Sequence, residues 1–264
     1  MNAMQIALIK KDIRAIVTNK RLLAVLLIVP LMMTVIVPAL LIFIAGVTPL
    51  ESSDLQALIA LNEGMEKMTE SELREMAIKV LFDEMAPIFF MMVPLISASV
   101  MAASSFVGEK EKRTLETLLY CPLSVRQIFS AKTLAALLLS QFVSLLSFVV
   151  MMVVVQLELW LLFGYLIVPA LAWPILLFLV SPALSLVAIS LIVGGSAKAK
   201  TVEESQQRSA FLVIPIVLLL AMQFGGIQVF SLWILLVSGF IFLLIGLILL
   251  RRLSVKFSYE VLLR

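Results

Sequence analysis

The sequence contains no histidine and a single cysteine, and charged residues make up only 14% of its 264 residues. Without histidine, the common zinc sites and histidine-based acid–base catalysis are unavailable. A lone cysteine, Cys121, excludes an internal disulfide. A soluble domain of this size would have about a quarter of its residues charged. These deficits argue against a soluble enzyme.

Apolar residues, by contrast, make up 62% of the chain and occur in long blocks. A helix that crosses a bilayer needs about 20 mainly apolar residues. Six blocks meet or approach this length: 22–46, 86–107, 133–157, 166–193, 210–224 and 229–250. The fifth block is short, so it either extends into the glycines that follow or dips into the membrane without crossing. We therefore predict an all-α integral membrane protein with six transmembrane helices, in which residues 1–264 form a single domain.

The positive charges predict how these helices are oriented. Four segments hold 17 of the 20 lysines and arginines, namely 1–21, 108–132, 194–209 and the tail 251–264. Because cytoplasmic loops of membrane proteins are enriched in Lys and Arg, both termini are predicted to be cytoplasmic. The net charge of +3 is thereby explained by membrane anchoring rather than by nucleic-acid binding. Trp160, Trp173 and Trp233 fall near the outer ends of predicted spans, which is typical of an interfacial aromatic belt.

Two polar segments flank the first predicted span. Residues 1–21 are predicted to form an amphipathic helix at the cytoplasmic membrane surface, because isoleucines recur at helical spacing from Ile6 to Ile16. The outer loop 47–85 carries nine acidic and three basic residues. Capping-box patterns at Ser53 and Thr69 predict two short helices in that acidic loop.

The predicted spans contain almost no ionisable residues, and Glu158 lies at an outer edge. Buried charges usually mark the ion and proton routes of secondary transporters. Their scarcity argues against a self-contained, proton-coupled carrier.

The most informative segment is the polar island 108–132, which reads GEKEKRTLETLLYCPLSVRQIFSAK. Leu115, Leu118 and Leu119 form one apolar helix face. Pro122 ends this predicted helix, and Ser124 with Gln127 forms a capping box for the helix that leads into the third span. The pattern predicts a short amphipathic helix, a proline corner and a rigid entry into the membrane.

This island resembles the sequence between the second and third spans of ATP-binding-cassette (ABC) type-2 permeases. The matching residues are Glu109, Lys110, Glu111, Lys112, Thr114, Leu115, Glu116, Leu118, Leu119, Pro122, Ser124 and Lys132. Arg113 departs from the pattern, where the family often has glycine. The polar stretch 200–209 before the fifth span is a weaker match.

The resemblance implies that the island is a coupling helix, seated in a groove of a separate ABC ATPase. The residues it implies for docking and coupling are Glu109, Lys112, Leu115, Glu116, Leu119 and Pro122. ATP and Mg²⁺ would bind to a dimer of the partner ATPase, and this chain would hold no cofactor. It further implies a second permease copy or a related permease, a bacterial plasma-membrane location and an exported small molecule, ion or peptide.

Three other interpretations remain open at this point. Glu203, Glu204 and Arg208 fit a Glu-Glu-x-x-x-Arg signature of intramembrane proteases, although those enzymes also need histidines. A membrane-anchored interaction protein would use the island to dock another cytosolic factor. A self-contained carrier or channel is the third alternative. The substrate is also open among sodium, a hydrophobic drug, a peptide and a lipid-linked molecule.

Overall fold

A computed structural model describes residues 2–47, 70–111, 122–196, 201–224 and 231–256. These residues are helical apart from short connections, and no strand occurs among them. The helices are α1 (Ala3–Thr18), α2 (Lys20–Val47), α3 (residues 70–111), α4 (Val125–Phe163), α5 (Ala172–Ser196), α6 (Val202–Ser209), α7 (Ile214–Phe224) and α8 (Leu232–Lys256). The all-α fold class is therefore confirmed.

In the described part of the chain, five helices are long and apolar enough to cross a membrane, namely α2, α3, α4, α5 and α8. The prediction of six spans is not confirmed, because α7 has only 11 residues. At 1.5 Å per residue it extends about 16 Å, roughly half of the hydrocarbon core. Residues Ala210–Val213 wind as a 3₁₀ helix, and α7 begins immediately before Pro215. Proline is tolerated in the first turn of a helix, where its missing N–H is not needed.

Several predicted spans have different boundaries in the structure, the second and the fourth among them. The second begins at Glu70 instead of residue 86, so the chain that the sequence assigns to a second outer-loop helix continues into α3. The fourth begins at Ala172 instead of residue 166. Gly164 adopts a left-handed conformation (φ 72°) and ends α4, and Pro169 lies in the non-helical connection that follows. The Ser53 pattern lies outside the described residues.

Helix α3 lies at the centre of the bundle, in contact with α2, α4, α5 and α7. Its most apolar window is 83% buried, whereas that of α8 is 17% buried and that of α2 is 28% buried. Helix α3 therefore forms the core, while α2 and α8 present most of their apolar surface outward. This distribution suits a bundle whose outer surface faces lipid.

Helix α5 packs closely against α8 through glycines on α8. A Cβ atom placed at Gly239 would lie 2.9 Å from the Leu179 side chain, and one at Gly246 would lie 2.8 Å from Cβ of Leu186. Small residues at such contacts allow two helix backbones to approach in a membrane. Ser190 Oγ also lies 3.5 Å from the carbonyl oxygen of Gly246.

We expect Gly246→Ala to destabilise the protein by about 1–3 kcal/mol, because the added methyl group overpacks this contact. Thermal inactivation in detergent, followed by size-exclusion chromatography, measures the effect. Gly195→Ala is the matched control, since a Cβ atom at Gly195 in the last turn of α5 meets nothing within 4 Å. Equal melting temperatures for the two variants would contradict this account of the α5–α8 contact.

We call the end of the bundle that carries α1, α6 and the residues bordering the polar island the basal end. The opposite end, which carries residues 81–85 and 164–171, is the distal end. Near the distal end, Trp173 packs between the rings of Phe82, Phe90 and Phe148, at centroid distances of 5.3, 5.8 and 5.5 Å. Trp173 is 1% exposed, so its prediction as an interfacial residue is wrong. Trp160 and Trp233, at 60% and 74%, are exposed.

Candidate coupling site

Helix α1 lies against the basal end of α4 and is joined to α2 at a tight corner. Its buried residues include Leu8, Ile9 and Ile16, while Ile6 is exposed. Asn19 caps the start of α2, because its side-chain oxygen accepts hydrogen bonds from the backbone N–H groups of Arg21 (3.1 Å) and Leu22 (3.3 Å). The apolar face of α1 thus packs on protein, and its role at a membrane surface stays a prediction.

The buried face of α1 also carries Asp12, which is 5% exposed and belongs to a cluster of charged side chains. Lys132 of α4 lies beside it, with 3.3 Å between Lys132 Nζ and Asp12 Oδ2. The same ammonium donates to the carbonyl oxygen of Ser105 at 2.6 Å. The hydroxyl of Ser105 donates to Asp12. Helices α1, α3 and α4 therefore meet at one buried ammonium, which we call the Lys132 cluster together with Lys11, Asp12, Ser105 and Glu109.

Glu109 extends the Lys132 cluster towards the exposed Lys11 of α1. Its carboxylate lies 2.6 Å from Lys11 Nζ and 3.7 Å from Lys132 Nζ. The Glu109 side chain is 11% exposed, whereas that of Lys11 is 53% exposed. The cluster therefore runs from the buried Lys132 outward to Lys11, with the Glu109 carboxylate between the two ammonium groups.

The backbone of α3 is adapted to hold this lysine. Residues Ala103–Val107 form a π-helical segment, in which backbone hydrogen bonds join residues five positions apart instead of four. Ser105 lies in the middle of that segment, and its carbonyl oxygen accepts from Lys132. The aliphatic and aromatic surroundings include Phe106, whose ring centroid is 5.8 Å from Lys132 Nζ. A buried ammonium in such a place needs several partners, because the desolvation cost of an isolated charge is large.

The entry into α4 has the predicted capping box. The backbone N–H of Gln127 donates to Ser124 Oγ (3.3 Å), and the backbone N–H of Ser124 donates to Gln127 Oε1 (2.9 Å). Lys132 follows two turns into this helix. The prediction of a capped helical entry into the third span is confirmed, and its rigidity stays a prediction.

The basal end of α3 also supports the helix that precedes α7. The carboxylate of Glu111 accepts a hydrogen bond from the backbone N–H of Val202, the first residue of α6, at 3.0 Å. Thr201 caps the same helix by accepting from the backbone N–H of Glu204 at 3.1 Å. Negatively charged groups are favourable at a helix N-terminus. Both sides of the polar island are thus attached to neighbouring helices.

The predicted docking residues divide between described and undescribed parts of the chain. Glu109 lies in the Lys132 cluster, and Pro122 is exposed just before α4. Lys112, Leu115, Glu116 and Leu119 lie outside the described residues, so their docking role stays a prediction. The structure thus gives Glu109 an internal role that binds it to α1 and α4.

Sequence reasoning missed Lys11, Asp12 and Ser105. The position of Asp12 could have indicated a buried charge, because an acidic residue four positions before Ile16 lies on the same face as the buried apolar residues of α1. Its partner Lys132 is 120 positions away, and no local spacing connects the two.

The protease signature gains no support from the described residues. Glu203 is 58% exposed and pairs with Arg21 at 3.8 Å, a long surface ion pair of little energetic weight. Among the described residues, no group of three or more cysteine, aspartate or glutamate side chains could hold a metal ion.

A bundle of membrane-length helices with a buried charged cluster at one end is the architecture of a multi-pass membrane protein. The chain belongs to the ABC-2 family of transporter proteins, whose family model matches residues 6–231. No individual curated protein matches the chain significantly. Permeases of this family are membrane components of ABC transporters, carry no ATPase domain of their own and associate with an ABC ATPase. The Lys132 cluster lies within the matched region.

Proposed function

We propose that this protein is the transmembrane permease subunit of an ATP-driven exporter. The polar island 108–132 docks on a separate ABC ATPase, which binds ATP and Mg²⁺ and hydrolyses ATP. Two copies of the chain, or one copy and a related permease, frame the pathway for a small molecule, ion or peptide. The termini and the basal end face the cytoplasm of a bacterial cell, and the chain crosses the membrane six times.

The observation that carries this proposal, beside family membership, is the Lys132 cluster. It joins α1, α3 and α4 at the two ends of the polar island, where Glu109 precedes the undescribed segment and Lys132 follows it. A displacement of the island by a docked ATPase would therefore move these three helices together. Because closely packed protein interiors transmit strain, the movement would reach the membrane-length parts of α3 and α4.

Charged residues at the ends of the membrane-length helices weaken the sequence argument against a self-contained carrier. The spans were predicted to be almost free of charge, yet Lys132 in α4 and Asp83 with Glu84 in α3 lie within membrane-length helices. Lys132 is held between carboxylates at one end of the bundle, an arrangement suited to joining helices. The distinction from a self-contained carrier now rests on the ATPase partner.

A pull-down of the tagged protein in mild detergent tests the proposal. We expect a stoichiometric ABC ATPase to co-purify, and we expect the double variant Glu116→Ala/Leu119→Ala to lose it while still inserting into the membrane. The expected loss is at least tenfold, because hot-spot residues at protein interfaces each contribute about 2 kcal/mol or more.

Arg252→Ala is the matched control, because Arg252 is exposed near the end of α8, on the same predicted side of the membrane. It should retain the ATPase. A preparation without any ATPase would contradict the proposal and favour an interaction protein or a self-contained carrier. If the double variant retained the ATPase, only the assignment of the docking residues would be contradicted, and the proposed function would stand.

A further inference from the structure

The distal end of α3 carries two consecutive acidic residues, Asp83 and Glu84, in a second π-helical segment, Leu81–Met85. Consecutive residues of a helix point in different directions, so the two carboxylates face different neighbours. Asp83 Oδ1 accepts hydrogen bonds from the backbone N–H of Ala170 (3.1 Å) and from Trp173 Nε1 (3.2 Å). Glu84 Oε2 accepts from Gln223 Nε2 of α7 at 2.7 Å.

Asp83 and Glu84 attach α3 to different parts of the bundle. Asp83 holds the start of α5, where Trp173 is fully buried in an aromatic cluster. Glu84 holds α7, a helix of 11 residues that exposes Val217, Leu218 and Met222. One carboxylate therefore attaches to the rigid core and the other to a short peripheral helix.

Helix α7 contacts the bundle along a narrow stripe. The stripe consists of Ile216, Leu219, Leu220 and Gln223, at helical positions i, i+3, i+4 and i+7. In a membrane, apolar contact between helices gains little over contact with lipid, whereas interhelical hydrogen bonds hold helices in register. The three apolar members of the stripe thus allow movement, and the amide of Gln223 fixes the position of α7.

Burial of the Gln223 amide makes its contact with Glu84 costly to break. Gln223 is 2% exposed, and a buried amide that loses a partner is destabilised unless water or another polar group replaces that partner. At the distal surface, water can take that place. A helix attached in this way can switch between a state held by Glu84 and a hydrated state.

We infer that the Glu84–Gln223 hydrogen bond is a latch, which closes the distal end of the pathway by holding α7 against α3 and opens when substrate leaves. The inference rests on the proposed export function. It assigns the latch to Glu84, while Asp83 keeps the neighbouring wall in place.

An exchange of the two side chains tests the latch in the co-purified complex. The reporter is Leu219→Cys in a Cys121→Ser background, because Leu219 lies one turn before Gln223 on the packed stripe. The rate of labelling by a water-soluble thiol reagent measures how often this face of α7 becomes accessible to water.

We expect Gln223→Glu to raise the labelling rate about tenfold, since two facing carboxylates replace a charge-assisted hydrogen bond. The exchanged pair Glu84→Gln/Gln223→Glu should return the rate to within about twofold of the parent, because an amide and a carboxylate face each other again. ATP with vanadate should raise the labelling rate of the parent complex. Glu75→Gln is the control, as Glu75 is an exposed acid on the same helix, and it should leave the rate unchanged.

Unchanged labelling in Gln223→Glu, or an exchanged pair that labels as fast as Gln223→Glu, would overturn the latch. Labelling of the parent that ignores ATP and vanadate would also overturn it, provided that the complex hydrolyses ATP. A complex without any ATP hydrolysis contradicts the proposed function itself and removes the latch with it. ATP turnover measured in the same preparation therefore separates the two failures.

Discussion

Replacing Lys132 with methionine is expected to cause one of the largest losses of stability of any single substitution in this chain. The ammonium is 3% exposed and lies between Asp12 and Glu109, so its removal leaves carboxylates buried without their shared partner. Breaking a buried ion pair by removing one member costs about 3–5 kcal/mol. Thermal inactivation in detergent should show a correspondingly lower melting temperature for Lys132→Met.

The double variant Asp12→Asn/Lys132→Met should recover most of this loss. Its remaining acid, Glu109, still pairs with Lys11 at 2.6 Å. Arg126→Met is the matched control, since Arg126 is an exposed cation near the start of the same helix, and surface substitutions usually change stability by less than about 0.5 kcal/mol. If Lys132→Met were as stable as Arg126→Met, the cluster would carry no structural role.

Trp173→Ala is the second substitution for which we expect a large effect. Its ring packs against Phe82, Phe90 and Phe148, and its Nε1–H group donates to Asp83. Truncating a buried tryptophan to alanine typically costs about 3–5 kcal/mol, mainly because a cavity remains. The loss of a donor to Asp83 adds to this cost. The melting temperature of the purified variant measures the sum.

Trp160→Ala provides the comparison, because the sequence predicts the same interfacial role for both residues. Trp160 is 60% exposed, so its truncation should leave the melting temperature nearly unchanged. Trp173→Phe should fall between the two, as it keeps an aromatic ring and removes the donor. A smaller loss for Trp173→Ala than for Trp160→Ala would contradict the core position of Trp173.

Local sequence patterns predicted the structure correctly where the interacting residues are only a few positions apart in the sequence. Ser124 and Gln127 are three positions apart, and their capping box is present in the structure. The apolar blocks gave the membrane-length helices, because crossing a bilayer depends on length and composition. The match of the polar island to ABC type-2 permeases was likewise a property of a continuous segment, and the family is confirmed.

Local patterns failed where a distant partner changes what a residue can do. Asp83 and Glu84 fell within the predicted outer loop because the apolar block begins only at residue 86, yet α3 continues through them. Donors from Ala170, Trp173 and Gln223 satisfy their carboxylates. The buried position of Trp173 follows from the same contacts.

By itself, then, the sequence determined the all-α class, the approximate spans, the capped entry into α4 and the family. Tertiary structure alone decided that Asp12 and Lys132, 120 residues apart, share a buried site. It also decided that Glu84 holds the short helix α7. The physical reason is that burial and charge pairing depend on which helices meet in space, whereas capping and hydrophobic length are properties of neighbouring residues.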